Sequence, residues 1–538
     1  MQSTPPSIPS KKSSDKRIGL LRSSAMVGSA TMVSRVLGLV RDVVFAWFIG
    51  ASGGADAFFV AFKIPNFLRR LFAEGAFAQA FVPVLSEYRQ KGDIALVRQL
   101  IDRIAGCLAL AVTGVSVLAV VGAPLLTMLF APGFYLHSPE KFALTTDMIR
   151  ITFPYLALIS LAGFAGSILN SYDRFAIPAL TPIALNLVLI TAAVWISPML
   201  ETPVMALAWG VLVAGVCQLV MQLPFLARLG LLPRPVVDWR DPAVKKVLTL
   251  MMPAMFGVSV SQINLLLDTV MASLISEGSV SWLYYSDRLI ELPLGVFGIA
   301  IATVILPALS RQHADASEHY SRTLDWALRT VLLVALPATV ALVMLARPII
   351  ATLFQHGSRF SEFDGLMASY SLVAYALGLT AFMLIKVLAT GYFSRQDTRT
   401  PVRIGIKAML ANMVFNIVLV VPFHFLLQIG HVGLALATAA SAFLNATWLL
   451  MGLRRTGVYQ PRRDWRRFLL VLAAASFVMG AFLQVCLWFL PEFSQWVWWL
   501  RIVNLVWLCL GGLAIYTAIL LLGGWRLHHL RPDLNRPG

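Results

Sequence analysis

The chain reads as an all-α polytopic membrane protein with fourteen transmembrane helices, and three observations predict this. Hydrophobic residues make up 58% of its 538 residues and charged residues 13%, against about 25% charged in ordinary soluble chains. The apolar residues fall in runs of about twenty, the length a helix needs to cross a hydrocarbon core of about 30 Å. No stretch alternates apolar and polar residues at period two, which argues against a β-barrel.

The elements follow in order. Residues 1–22 are polar and are expected to form a disordered cytoplasmic extension; no small-residue cleavage site follows, so no signal peptide is removed. Six spans are predicted at 24–50, 55–85, 100–130, 143–169, 178–198 and 204–227, making a first lobe over 23–230. Six more, at 245–275, 281–309, 324–346, 365–392, 403–422 and 430–452, make a second lobe over 240–455. Two further spans, 468–490 and 498–523, form a C-terminal addition over 466–524, and residues 525–538 are a cytoplasmic tail. Five tryptophans, Trp488, Trp496, Trp498, Trp499 and Trp507, group near one end of that added pair, as in an interfacial aromatic belt.

Charge bias and an internal repeat support this layout. Lys and Arg concentrate on one side, for example Arg454, Arg455, Arg462, Arg463, Arg466 and Arg467 after the twelfth span. The predicted outer loops are nearly bare, with Lys141, Arg347 and Arg359 the main exceptions. That pattern puts both termini in the cytoplasm. It also accounts for the net charge of +17 without invoking nucleic acid. The segment Phe81-Val82-Pro83-Val84-Leu85-Ser86 recurs as Ile305-Leu306-Pro307-Ala308-Leu309-Ser310, an offset of 224. Leu129-Phe130 with Gly133 recurs at the same offset as Leu353-Phe354 with Gly357. Six spans separate equivalent points, and six is even, so the lobes are expected to be related by an axis along the membrane normal with a cavity between them. The cysteines Cys107, Cys217, Cys486 and Cys509 stand singly in apolar runs with no metal-site spacing.

Charges inside the spans carry the functional reading. Arg35 and Arg41 lie in the first span, and Asp56, Lys63, Arg69, Arg70 and Glu74 in the second. A charge near the bilayer centre costs about 2.5–3.5 kcal/mol on insertion scales. Several in consecutive helices therefore point to a polar cavity, and a cationic surplus points to an anion. Ser34 and Arg41 are seven residues apart and share a helix stripe, with Gly38 between them. In the eighth span Asp287, Arg288 and Glu291 precede Pro293, which is expected to bend the helix. Arginine suits bidentate phosphate contacts and stays charged at any physiological pH. Interhelical salt bridges that fix lobe geometry are the alternative role for these charges, and Arg69 can also snorkel to the surface.

The second half holds a different cluster. Asp268 is an isolated acid in the seventh span, and Asn412 and Asn416 share one face of the eleventh at i, i+4. Their oxygens suit a small hard cation such as Na⁺. An ion pair between Asp268 and Lys386 is the alternative.

Several segments resemble the MurJ/MviN lipid II flippases: SRVLGLVRD (34–42), ADAFFVAFKIPNFLRRLFAEGAFAQAFVPVLSEY (55–88), ITFPY (151–155), YYSDRLIELPLGVFGIA (284–300) and YFSRQDTRTPV (392–402). The resemblance covers essentially everything after about residue 20. It extends to the superfamily that also contains MATE exporters and polysaccharide flippases. It implies a flippase of the bacterial inner membrane that carries undecaprenyl-diphosphate-linked disaccharide-pentapeptide, lipid II, to the outer leaflet for wall synthesis. It also implies cavity arginines at Arg35, Arg41, Arg69 and Arg288, an acid near the outer end of the second span at Asp56, and a lipid-tail groove at the two added spans. Some members bind Na⁺ in the second half, which would fall on Asp268, Asn412 and Asn416; no other cofactor is implied. Ser34, Glu74, Asp287 and Glu291 complete the expected substrate-binding set from the charged constellation.

Rival readings are weaker. A MATE-type cation antiporter needs an acidic cavity, whereas the first spans here are arginine-rich. A flippase for another polyprenyl-diphosphate oligosaccharide shares the anion logic but not the named motifs. An enzyme acting on the same lipid needs clustered acids or histidines near one interface, and the eight histidines lack such grouping. No nucleotide-binding GxxxxGKS motif occurs.

Overall fold

The computed structural model describes residues 11–70, 76–312, 318–462 and 464–524, with side chains described from residue 26 onward except at 76, 253–254, 256–262, 299 and 311–312. Every element among them is helical. Helix α1 (Lys11–Phe48) contains the first predicted span. It starts inside the stretch expected to be disordered, because no proline interrupts 11–48 and its lysines and arginines are good helix formers. The second predicted span is carried by α2 (Gly53–Arg69) and α3 (Ala76–Gln90). Helix α4 (Ile94–Val121) is capped by Asp93, whose side chain accepts from the Ala95 amide at 2.8 Å. Then come α5 (Ala123–Phe130), α6 (Pro132–His137), α7 (Pro139–Thr152), α8 (Tyr155–Ser171), α9 (Ala176–Thr191), α10 (Met205–Val220) and α11 (Leu223–Arg228).

The second half begins with α12 (Pro242–Ser273) and α13 (Ser279–Pro293). A π turn, Leu294–Gly298, starts at the residue after Pro293 and leads into α14 (Ile299–Gln312). Proline has no N–H and its ring clashes with the i−4 carbonyl, so the expected bend takes the form of this wider turn. Helices α15 (Glu318–Met344), α16 (Ala346–Leu353), α17 (Glu362–Phe393), α18 (Arg399–Phe425), α19 (Gly430–Arg455), α20 (Trp465–Phe489) and α21 (Trp498–Leu522) complete the chain.

Eleven helical stretches among the described residues are long and apolar enough to cross a membrane. The other three predicted spans, 24–50, 55–85 and 245–275, lie on α1, on α2 with α3, and on α12. The first two carry Arg35, Arg41, Asp56 and Lys63 among their apolar residues, and the described apolar part of α12 is limited to Ile263–Ser273.

Two compact units emerge. The first holds the chain up to Val44, Ala61–Leu126 and Thr145–Ser259; the second holds Phe45–Val60, Thr127–Leu144 and everything from Val260. In the first, Phe77, Phe81 and Phe164 pack ring to ring between α3 and α8, at 5.4 Å and 5.1 Å from the Phe81 centroid. In the second, α20 and α21 pack on α15 and α16 through Leu333, Leu345, Leu472, Met479, Leu483 and Leu508. Lipid tails are as apolar as leucine, so close packing rather than water expulsion holds such contacts. Polar anchors add to them. Arg501 donates to the carbonyls of Trp496, Ala351, Gln355 and Ser494 at 2.7–2.9 Å. At the other end of α20, Arg329 hydrogen-bonds Asp464 at 2.6 Å and holds its carboxyl below the usual range. Trp488, Trp498, Trp499 and Trp507 are exposed, as a belt at a membrane interface requires.

Candidate functional site

In the first unit, Arg41 is buried in α1 at 8% exposure. Its Nε and Nη2 donate to Asp42 Oδ1 at 2.9 Å and 2.7 Å. Its Nη1 donates to Asn186 Oδ1, on α9, at 3.0 Å. Asn186 Nδ2 in turn donates to the Ser34 carbonyl at 3.0 Å. The Ser34–Gly38–Arg41 stripe expected from sequence is thus formed, and α9 lies along it. Neither Asp42 nor Asn186 was singled out from the sequence as a site residue. Asp42 is masked by its neighbour Arg41, and Asn186 is one amide inside the apolar run TPIALNLVLI (181–190). A single polar residue of that kind is the only signal for it.

Arg35 is half-buried on the same helix. Arg69, at the end of α2, donates from Nε to Asn66 Oδ1 at 2.9 Å. Glu74 lies outside the described residues.

In the second unit, Asp56 is 1% exposed and caps a helix to which it does not belong. Its Oδ2 accepts from the Gly278 amide at 2.8 Å, and its Oδ1 accepts from the Ser281 amide at 2.9 Å and the Ser281 hydroxyl at 2.6 Å. Gly278 is the N-cap of α13, so the carboxylate sits on the positive end of that helix. Lys141 completes the group, with Nζ 3.4 Å from Asp56 and 3.9 Å from Glu277. Lys141, an exception to the bareness predicted for the outer loops, is thereby accounted for as the half-buried partner of a buried acid. Beside this cap, the Tyr285 hydroxyl donates to the Gly50 carbonyl at 2.9 Å. Gly50 has φ +73°, and a Cβ there would lie 2.0 Å from the Arg359 carbonyl oxygen. Only glycine fits this turn.

Further along α13, Arg288 pairs with Glu291 at 2.6 Å, the i, i+3 contact expected from sequence. Its guanidinium lies 4.9 Å from the centroid of Tyr284, which stacks on Phe59 at 3.9 Å. Asp287 is half-buried on the same turn.

The remaining cluster also lies in the second unit. Asn416 Nδ2 donates to Asp268 Oδ1 at 3.0 Å and to Asn412 Oδ1 at 3.1 Å. Thr438 of α19 donates to Asp268 Oδ2 at 3.3 Å. All three of Asp268, Asn412 and Asn416 are buried, and Asn416 Oδ1 has no hydrogen-bond partner among the described residues. The alternative pair with Lys386 does not form. Lys386 is exposed on α17 and makes no ion pair among the described residues, because a long side chain reaches solvent or headgroups at less cost than a buried acid. Thr438 joins the set unpredicted, since one threonine in a membrane helix carries no signal by itself.

Comparison with known proteins gives a consistent answer. The profile of the family described as lipid II flippase MurJ matches residues 45–507. A probable lipid II flippase MurJ of Vibrio cholerae is 51% identical over 522 residues, 95% of this chain and 98% of that protein. A Haemophilus influenzae protein of the same description is 47% identical, over 93% and 99%. A solved lipid II flippase MurJ in an inward closed conformation superposes with a TM-score of 0.77 at 28% identity, covering 92% of this chain and 98% of that one. An inward-facing MATE transporter of the MOP superfamily shares the fold, with a TM-score of 0.62 at 15% identity over 80% of this chain.

Proposed function

Because the chain belongs to the MurJ family of lipid II flippases, we propose that it carries lipid II, the undecaprenyl-diphosphate-linked disaccharide-pentapeptide, from the cytoplasmic to the outer leaflet of the bacterial inner membrane by alternating access. In this reading fourteen spans form two six-helix lobes, 23–230 and 240–455, with both termini cytoplasmic. The repeat offset and the Lys/Arg bias support it. Helices α20 and α21 flank a groove for the lipid tail.

One observation carries the chemistry. Arg41 is buried in a membrane helix and presents its Nε/Nη2 edge to a carboxylate oxygen at 2.9 Å and 2.7 Å. A phosphate of the substrate takes that same edge, so Asp42 stands where diphosphate oxygens would bind. Arg35, Arg69 and Arg288 supply further positive charge to the cavity, bordered by Ser34, Glu74, Asp287 and Glu291. The Asp56 cap on α13 closes the outer end while the cavity faces inward.

An interior-negative potential favours outward movement of an anion by about 2.3 kcal/mol per charge per 100 mV. Na⁺ is the coupling ion this reading allows. Asp268, Asn412, Asn416 and Thr438 would hold it, and the buried acceptor Asn416 Oδ1, which has no donor among the described residues, fits an oxygen-ligated cation. Bound there, Na⁺ would bias the lobes only by its differential affinity for their arrangements.

Purified protein in liposomes carrying labelled lipid II tests the proposal. Unaltered lipid is expected in the opposite leaflet, with movement reduced at least tenfold in Arg41→Ala. Chemically altered lipid would reveal an enzyme instead, and unchanged movement in Arg41→Ala would remove the anion site.

A further inference from the structure

We propose that Asn186 is a positioning residue for transport. Its carboxamide sets the direction of the Arg41 guanidinium and keeps it set when an anion replaces Asp42. The inference rests on the reading above that Arg41 meets the diphosphate.

Asn186 is 5% exposed, and a buried amide is tolerated only with partners for its polar atoms. It has one on each side. Oδ1 accepts from Arg41 Nη1 and Nδ2 donates to the Ser34 carbonyl, both at 3.0 Å. Arginine only donates and a carbonyl only accepts, so these neighbours fix which end of the amide is oxygen. The carboxamide therefore links two residues about two turns apart on α1, Ser34 and Arg41, and has one orientation. Gly38 lies beneath it, where an added Cβ would be 3.8 Å from Nδ2.

The guanidinium is divided between two kinds of acceptor. Its Nε/Nη2 edge is on Asp42, whose negative charge an incoming phosphate can replace oxygen for oxygen. Its Nη1 is on Asn186, which carries no charge and does not compete for the substrate. Exchange of Asp42 for diphosphate thus leaves the Asn186 contact intact, and the arginine plane keeps its direction through the exchange. An acid at position 186 would place a second carboxylate on the same cation. Leucine, of similar volume, would remove the acceptor that Asn186 offers Nη1.

The test uses the purified full-length chain in nanodiscs. It measures affinity for lipid II and, separately, the melting temperature without ligand. Asn186→Asp is expected to bind lipid II at least tenfold more weakly, and Asn186→Leu roughly three- to tenfold more weakly, since the apolar change loosens the direction of the guanidinium and leaves its charge in place. Melting temperatures should stay within a few degrees of the parent; where the acid variant fails to fold, the apolar one carries the measurement. In an Arg41→Lys background, where the forked geometry is already gone, each Asn186 change should cost less than twofold. A merely structural asparagine would impose its full penalty in both backgrounds, and that result would overturn the inference. Weak binding by Arg41→Ala together with parental binding by both Asn186 variants overturns it while leaving the anion site standing. Parental binding by Arg41→Ala removes the anion site and this inference together.

Discussion

Arg41 in the first unit and Asp56 in the second are opposite charges, both buried and both in the first two helices that the sequence marks as costly to insert. Their partners differ in kind. The partners of Arg41 include a neighbouring carboxylate and a neutral amide. Asp56 is compensated by two backbone amides at a helix start, a hydroxyl and a lysine. A side-chain carboxylate can be exchanged for an anion of similar shape. A helix terminus cannot leave without its helix. The difference separates a charge that is held ready for exchange from one that fixes two segments to each other.

The largest expected effect tests the exchangeable side. Arg41→Ala removes the guanidinium that donates to the buried Asp42 from two nitrogens, and breaking a buried pair by removing one partner costs about 3–5 kcal/mol. Both transport and melting temperature should fall. Removing both charges, Arg41→Ala with Asp42→Ala, is expected to restore most of the melting temperature and none of the transport. Recovery of transport in the double variant would show that the pair is only structural, and the contrast with Asp56 would collapse.

The next effect tests the fixed side. Asp56→Asn keeps the shape but replaces a charged acceptor by an amide whose nitrogen faces donors. A hydrogen bond to a charged group is worth about 1.5–3 kcal/mol, so the cap on α13 should open more often. Ser52→Cys beside the cap, attacked by a membrane-impermeant thiol reagent from outside, is expected to react severalfold faster in the Asp56→Asn background. Equal rates would mean that Asp56 does not hold this end closed, and that it belongs with Arg41 as a substrate contact.

How much of this was legible in the sequence follows from the same physics. The helical fold was legible because hydrocarbon admits few backbone solutions, and apolar runs of about twenty residues announce one of them. Buried charges were legible as costly, so Arg41, Asp56 and Asp268 stood out from their neighbours. Their partners were less so. Asp56 is satisfied by amides of Gly278 and Ser281, and backbone donors have no letter in a sequence. Asn186 is an ordinary residue whose role depends on α9 lying beside α1, a contact between residues separated by 145 positions. Lys141 was visible only as an exception to charge bias, and its ion pair with Asp56 supplies the reason. Lys386 illustrates the opposite case. Its charge suggested a partner for Asp268, but charge complementarity in sequence says nothing of which way a side chain points.

Asp268 sharpens the comparison because it is a buried acid to whose two oxygens neutral groups donate, Asn416 on one and Thr438 on the other. Asp268→Asn should therefore cost little in stability, within about 1 kcal/mol, since the amide oxygen still accepts from Asn416 and the amide nitrogen can donate to the Thr438 hydroxyl, whose own proton then goes to the Leu434 carbonyl. Adding Lys386→Met should change nothing further, because Lys386 is exposed and not paired with Asp268. If the cluster holds Na⁺, the parent should gain several degrees in melting temperature with added Na⁺, and Asp268→Asn should lose that gain while lipid II binding persists. A large destabilisation by Asp268→Asn that Lys386→Met repairs would instead mean that the two residues meet in another arrangement of the protein. Asp268 would then belong with Asp56 among the charges that fix helices in place.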